Sequence, residues 1–157
     1  MKGLTTSFLG RHHIRYAILP HAGPLDSRTV RTAYNFNHPM KIYSAPSSIS
    51  ETSSLLNAIS LHGCPSLILD CIKRGEDDED VSRGELPKRK GKSIILRIYD
   101  SLGGTSRGTI RVNKMLDVKS VWKTNVLEDD EAKLEIKNDE VEIELRPFEV
   151  ATYRLQL

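Results

Sequence analysis

Along the second half of the chain, apolar and polar residues alternate with a period of two. In Val141-Glu142-Ile143-Glu144-Leu145 the aliphatic side chains fall on one side and the carboxylates on the other. Successive residues of a strand point to opposite faces, so this is the pattern of an antiparallel strand with one face in a core. Residues 132–137 alternate in the same way, and Asn138-Asp139 between the two runs tolerates the positive φ of a tight hairpin turn. After a break at Arg146-Pro147-Phe148, residues 150–157 alternate again. The three runs predict a β-meander. Upstream, residues 93–99 are almost continuously apolar and β-branched, which predicts a central strand covered on both faces, and residues 66–73 read similarly. Further strands are predicted over 107–112 and 118–123, and an early one over 13–19, ended by Pro20.

One segment breaks this rhythm. Asp26 or Ser27 offers a helix cap, Val30, Ala33 and Tyr34 share a helical face, and Pro39 restrains the residue before it. A short helix near residues 27–37 is therefore expected. Residues 45–54 are rich in Ser and Pro and read as a connection, and the acidic run 76–80 followed by the basic run 88–92 reads as a solvated, charge-balanced loop. Many short strands with this punctuation predict an all-β protein, an antiparallel β-sandwich with one short helix.

Composition narrows the function. The 157 residues suffice for one domain with a real core, and 38% hydrophobic with 28% charged residues is ordinary for a globular chain. With 23 basic against 21 acidic residues, net charge is only +2, which argues against nucleic acid as a partner. No apolar run approaches the roughly 20 residues of a membrane span, and the N-terminal run is too short for a secretory signal, so the expected location is cytoplasmic. Cys64 and Cys71 do not make a disulfide framework, and Cys-x6-Cys is not a usual zinc spacing.

The candidate chemistry is thin. Gly103-Gly104-Thr105-Ser106-Arg107-Gly108 resembles a phosphate loop in its glycine spacing, but Thr109-Ile110 replaces the required Lys-Ser/Thr, so a glycine-rich hairpin turn is expected instead. The contiguous carboxylates of residues 76–80 lack the spaced ligands and central Gly of an EF-hand. His12, His13, His21, His38 and His62 form no His-x-x-x-His or His-x-Asp pair, so no hydrolytic metal centre assembles locally. Trp122, the one tryptophan of a chain with 6% aromatics, sits at strand spacing and is expected in the core. No catalytic residue, metal ligand or cofactor is assigned to this chain.

Several phrases resemble a known family. They are Arg15-Tyr16-Ala17-Ile18-Leu19-Pro20-His21-Ala22-Gly23, Ala33-Tyr34-Asn35-Phe36-Asn37, Asp70-Cys71-Ile72-Lys73-Arg74-Gly75-Glu76-Asp77-Asp78, Leu96-Arg97-Ile98-Tyr99-Asp100-Ser101-Leu102-Gly103-Gly104 and Leu145-Arg146-Pro147-Phe148-Glu149-Val150. In content and order the chain resembles the C-terminal region of glycoside hydrolase family 38 α-mannosidases, in their cytosolic and fungal vacuolar branch. The resemblance runs from about residue 11 to the end and leaves residues 1–10 as an unplaced extension. The acidic phrase through Asp80, with Ser82-Arg83-Gly84-Glu85-Leu86-Pro87, looks fungal. The branch adds the vacuole as a location.

The resemblance implies a C-terminal β-sandwich packed on a much larger N-terminal catalytic domain absent from this chain. In the family that domain carries zinc and an Asp nucleophile, and it hydrolyses terminal α-mannosides of oligosaccharides with retention through a covalent intermediate. The family-like phrases make His21, Lys73, Glu76 and Asp77 candidates for the cleft or the interface. The plainer reading is that Lys73 and Glu76 end a strand as a surface ion pair. The competing class is a free-standing β-sandwich that binds carbohydrate or protein, which the scarcity of aromatic residues disfavours.

Overall fold

A computed structural model describes residues 12–42, 44, 58–84 and 88–157. The expected connection over 45–54 and the extension 1–10 lie outside the described residues. After the helix α1 (Ser27–Asn37) come the strands β1 (Ile59–Gly63), β2 (Leu67–Arg74), β3 (Ser93–Asp100), β4 (Ser106–Val112), β5 (Ser120–Thr124), β6 (Asp130–Leu134), β7 (Glu140–Leu145) and β8 (Val150–Gln156). They form a three-stranded sheet ordered β1-β4-β7 and a five-stranded sheet ordered β2-β3-β8-β5-β6. All strand pairs are antiparallel. Leu96, Ile98, Val121, Ala151, Tyr153 and Leu155 of the larger sheet share one core with Ile110, Val112, Val141, Ile143 and Leu145 of the smaller. The molecule is an all-β antiparallel sandwich with one short helix.

The alternation of β7 does what its sequence requires. Val141, Ile143 and Leu145 are buried while Glu142 and Glu144 face solvent, and in register with β4 they meet Ile110, Gly108 and Ser106. On the outer face of that pair, Arg107 faces Glu144 and Arg111 faces Glu140 as directly opposed ion pairs. Close strand approach explains the paired glycines of β1 and β4. Gly63 and Gly108 are register partners, and a Cβ on Gly108 would lie 2.5 Å from both the His62 carbonyl oxygen and Leu67 Cδ1. Gly108→Ala is expected to cost about 2 kcal/mol through overpacking, read as a lower urea midpoint with unchanged slope.

Helix α1 begins where the sequence placed it. The Asp26 carboxylate accepts from the amides of Arg28 and Thr29, and Pro39 follows the C-cap His38. No residue of the helix is buried, and the Tyr34 hydroxyl ties it to the sandwich by donating to Asp70 of β2 beside Tyr99 of β3. Asp70 is free for this because the β2–β3 register slips between Leu69 and Cys71, a bulge that takes Asp70 out of the ladder.

Five expectations are corrected. Residues 13–19 are not a strand: no neighbour pairs with them, and they have no regular secondary structure. The C-terminal runs are strands but not a meander, because β7 lies in the other sheet from β6 and β8. The Asn138-Asp139 turn has the predicted positive φ at both residues, yet pairing beside it stops after one bridge, Lys137 to Glu140. The glycine-rich turn after Asp100 is likewise no hairpin, since β3 and β4 belong to different sheets and it arches between them. Trp122 is half-buried outside the core cluster, on the outer face of β5, where Lys133 lies over its ring and Nε1 donates to Ser120. The strand β1, unforeseen in the sequence, completes the small sheet.

Candidate functional site

The outward side of a sheet that packs only one face on a core should be wet. In the five-stranded sheet it is not. Ile95, Thr152, Arg154 and Thr124 occupy outward positions and are all buried. The cover comes from residues 75–84 and 88–92 between β2 and β3, and from the turn 125–129 between β5 and β6.

Arg154, fully buried on the central strand β8, holds both loops. Nη1 donates to Asp77 Oδ1 at 2.7 Å and to Ser93 Oγ at 3.0 Å, while Nη2 donates to the Glu128 carbonyl at 2.7 Å. Nε lies 3.2 Å from Asp130 Oδ1 in a geometry too oblique for a hydrogen bond, so charge alone holds that pair. Around Arg154 every carboxylate has a further cation or donor. Asp78, also fully buried, accepts from Arg74 and from the amide and hydroxyl of Ser93. Arg89 of the basic run bridges Asp77 and Asp130. Glu128 receives Lys73 at 2.6 Å and the Glu76 amide at 3.0 Å. Glu128 also holds a left-handed backbone with φ +73°, supported by the Asn125 side chain, which caps the amides of Leu127 and Asp129.

This corrects the reading of residues 76–80 as a solvated loop: Asp77 and Asp78 turn inward onto arginines. Burial pushes the Asp77 carboxyl up, but Arg154 and Arg89 outweigh it and bring it below its ordinary value. Burial likewise opposes charge on Lys73, and Glu128 with Glu76 reverses this, so its ammonium is held more firmly than usual.

A second buried carboxylate sits where two other family-like phrases meet. Asp100 accepts from the Ser106 hydroxyl, the Gly103 amide and the Phe148 amide, tying the arch after β3 to the turn before β8. Burial raises Asp100, yet these donors prevail and hold it at about 2. Next to that turn Glu149, chiefly through Lys123 at 2.8 Å and the Arg146 amide, is also lowered to about 2. A carboxylate depressed in the folded state contributes stability above its unfolded value and loses it as pH falls through the folded one. The melting temperature should therefore be insensitive to these two groups above about pH 5 and fall progressively from about pH 4 toward 2. Calorimetry across that range checks this, and a flat profile would contradict it.

Of the candidates named from sequence, the structure joins Lys73, Glu76 and Asp77 in one network. His21 is exposed in the N-terminal coil, and no hydrogen bond or ion pair links it to the other three. Sequence reasoning missed Arg154, Glu128 and Asp130, which carry the network. Their alternation reads as solvent-facing, and no sequence signal shows which outer face a loop will cover. The network has no nucleophile–base pair, and among the described residues no group of three or more His, Cys, Asp or Glu is placed to hold a metal ion. The zinc of the resembled family therefore finds no site among these residues. A depression of about 560 Å³ beside Gly63, Gly108 and Glu142 lies on the opposite sheet and is open.

Residues 86–153, from just before β3 into β8, match the family model described as the glycosyl hydrolases family 38 C-terminal beta sandwich domain. The chain is a family 38 C-terminal region. It is 41% identical over 156 residues to an α-mannosidase of Saccharomyces cerevisiae, covering 94% of this chain and 14% of that protein. It is 28% identical over 155 residues to α-mannosidase 2C1 of Homo sapiens (97% and 14%) and 27% identical over 151 residues to α-mannosidase G of Dictyostelium discoideum (95% and 13%). This family 38 region thus spans about one-seventh of the relatives it matches. No helix among its described residues is long and apolar enough to cross a membrane.

Proposed function

We propose that the chain is the non-catalytic C-terminal β-sandwich of an α-mannosidase, functional when joined to a much larger upstream catalytic domain and inactive alone. The observation that carries this is the pairing of near-complete coverage of this chain with one-seventh coverage of α-mannosidase relatives. The ion network supports it, because its carboxylates are each engaged by arginine, lysine or amide donors, whereas a retaining glycosidase needs two carboxyl groups facing an open cleft. In this reading the upstream domain supplies zinc and the nucleophile for terminal α-mannosides of oligosaccharides, in the cytosol or the vacuole. Lys73, Glu76 and Asp77 act indirectly, by holding two loops across the outer face of the large sheet toward the interface. His21 stands on the N-terminal segment that leads toward the upstream domain.

The test is hydrolysis of a chromogenic α-mannoside by the purified chain with zinc or cobalt added. No turnover above buffer is expected. Turnover abolished by a chelator would overturn the non-catalytic reading.

A further inference from the structure

Residues 14–19 have the composition and alternation of a strand but no strand to pair with. Ile14, Tyr16 and Ile18 recur at every second position and are 83%, 86% and 88% exposed. Leu19 is exposed beside them, and Met40 and Ile42, after α1, are both 98% exposed. Among the described residues, no backbone hydrogen bond joins 14–19 to a neighbour; Arg15 lies over the Phe36 ring, and Leu19 lines a depression with Asp26, Arg28 and Thr29. A run of large apolar side chains this exposed exceeds what a monomer ordinarily leaves open to water. A segment with strand alternation whose amides and carbonyls make no backbone bond can add to the edge of another sheet.

The occupant follows from length. The match to the human relative takes in 97% of this chain, so the segment belongs to the shared region and is no appended tail, while about six-sevenths of that relative lies outside the match. We infer that residues 14–19 form a docking strand that pairs with an exposed sheet edge of the upstream α-mannosidase domain, with Ile14, Tyr16 and Ile18 buried in that contact. This rests on the reading of the chain as a C-terminal region. It explains why a sequence pattern for a strand yields coil here: half of the ladder is elsewhere.

The probe is the part of the Saccharomyces cerevisiae α-mannosidase that precedes the matched stretch, mixed with the full 157-residue chain. Calorimetric titration reads affinity, and amide hydrogen exchange reads protection. The expected result is binding, at least tenfold slower exchange at residues 14–19, and at least tenfold weaker binding for Ile14→Lys with Ile18→Lys and for Tyr16→Pro, which removes a ladder donor. These positions touch nothing in the sandwich, so the variants should melt like the parent. Binding without protection at 14–19, undisturbed by the variants, would overturn the docking strand and leave the proposed function standing. Protection that arises on self-association without the probe would make the occupant a second copy and overturn it too. No binding by the parent chain would count against both readings.

Discussion

Arg154→Met is expected to lower the unfolding free energy by about 3–5 kcal/mol, the range for removing one partner of a buried ion pair. The cost is not that of one lost contact. The substitution leaves the Asp77 carboxylate with Arg89 alone, removes the donor to the Glu128 carbonyl, and leaves Asp130 facing an uncharged side chain. Met fills much of the same volume, so a cavity contributes little. Two further variants separate charge from packing. Arg154→Lys keeps the charge but cannot fork between Asp77, Ser93 and Glu128, and should lose an intermediate amount. Adding Asp77→Asn to Arg154→Met should recover part of the loss by removing the carboxylate left behind. Urea unfolding measures all three. Equal stability of Arg154→Met and the parent would mean that the two loops are held by something other than this side chain.

Asp100→Ala is the second large effect, expected at about 3 kcal/mol, because three donors are left in a dry site. The Ser106 hydroxyl and the amides of Gly103 and Phe148 converge on this carboxylate from separate turns. Phe148 adopts φ +57° in its turn and packs so closely on Gly103 that a Cβ there would lie 2.4 Å from its Cζ. The carboxylate thus holds the Gly103 turn against the strained turn at Phe148. Asp100→Asn keeps an acceptor oxygen and should lose less than the Ala variant, while removing this group's part of the acid-dependent decline. Identical pH profiles for Asp100→Asn and the parent would contradict the assignment.

The two clusters also show where sequence reasoning reaches its limit. Strand β7 was legible because its alternation and its burial have the same cause, one wet face and one dry. The helix was legible because capping is local, with Asp26 and the amides it accepts only two and three residues apart. Sheet membership was not legible. Residues 132–137, 141–145 and 150–157 read as one meander, and nothing in their pattern reveals that the middle run crosses to the other sheet. Arg154 was missed for a related reason: alternation assigns it to the outer face, and only the fold of residues 75–84, 88–92 and 125–129 makes that face dry. Lys73, Glu76 and Asp77 were named from family phrases, and the structure joins them in a network for which the phrases gave no physical account. The segment 13–19 failed in the opposite direction, since a strand pattern states a capacity to pair and says nothing about the partner.

The order of the five-stranded sheet bears on how the protein is made. Strand β8, later in sequence than the seven other strands described, lies between β3 and β5. Until residues 150–156 have emerged, β2-β3 and β5-β6 are two separate hairpins, each with a bare edge awaiting the same strand. Assembly of the large sheet during synthesis is therefore withheld until β8 emerges, and the emerging chain must keep those edges apart from its neighbours. A stop before Val150 would remove the central strand and its Arg154 together, leaving two hairpins with no strand to join them.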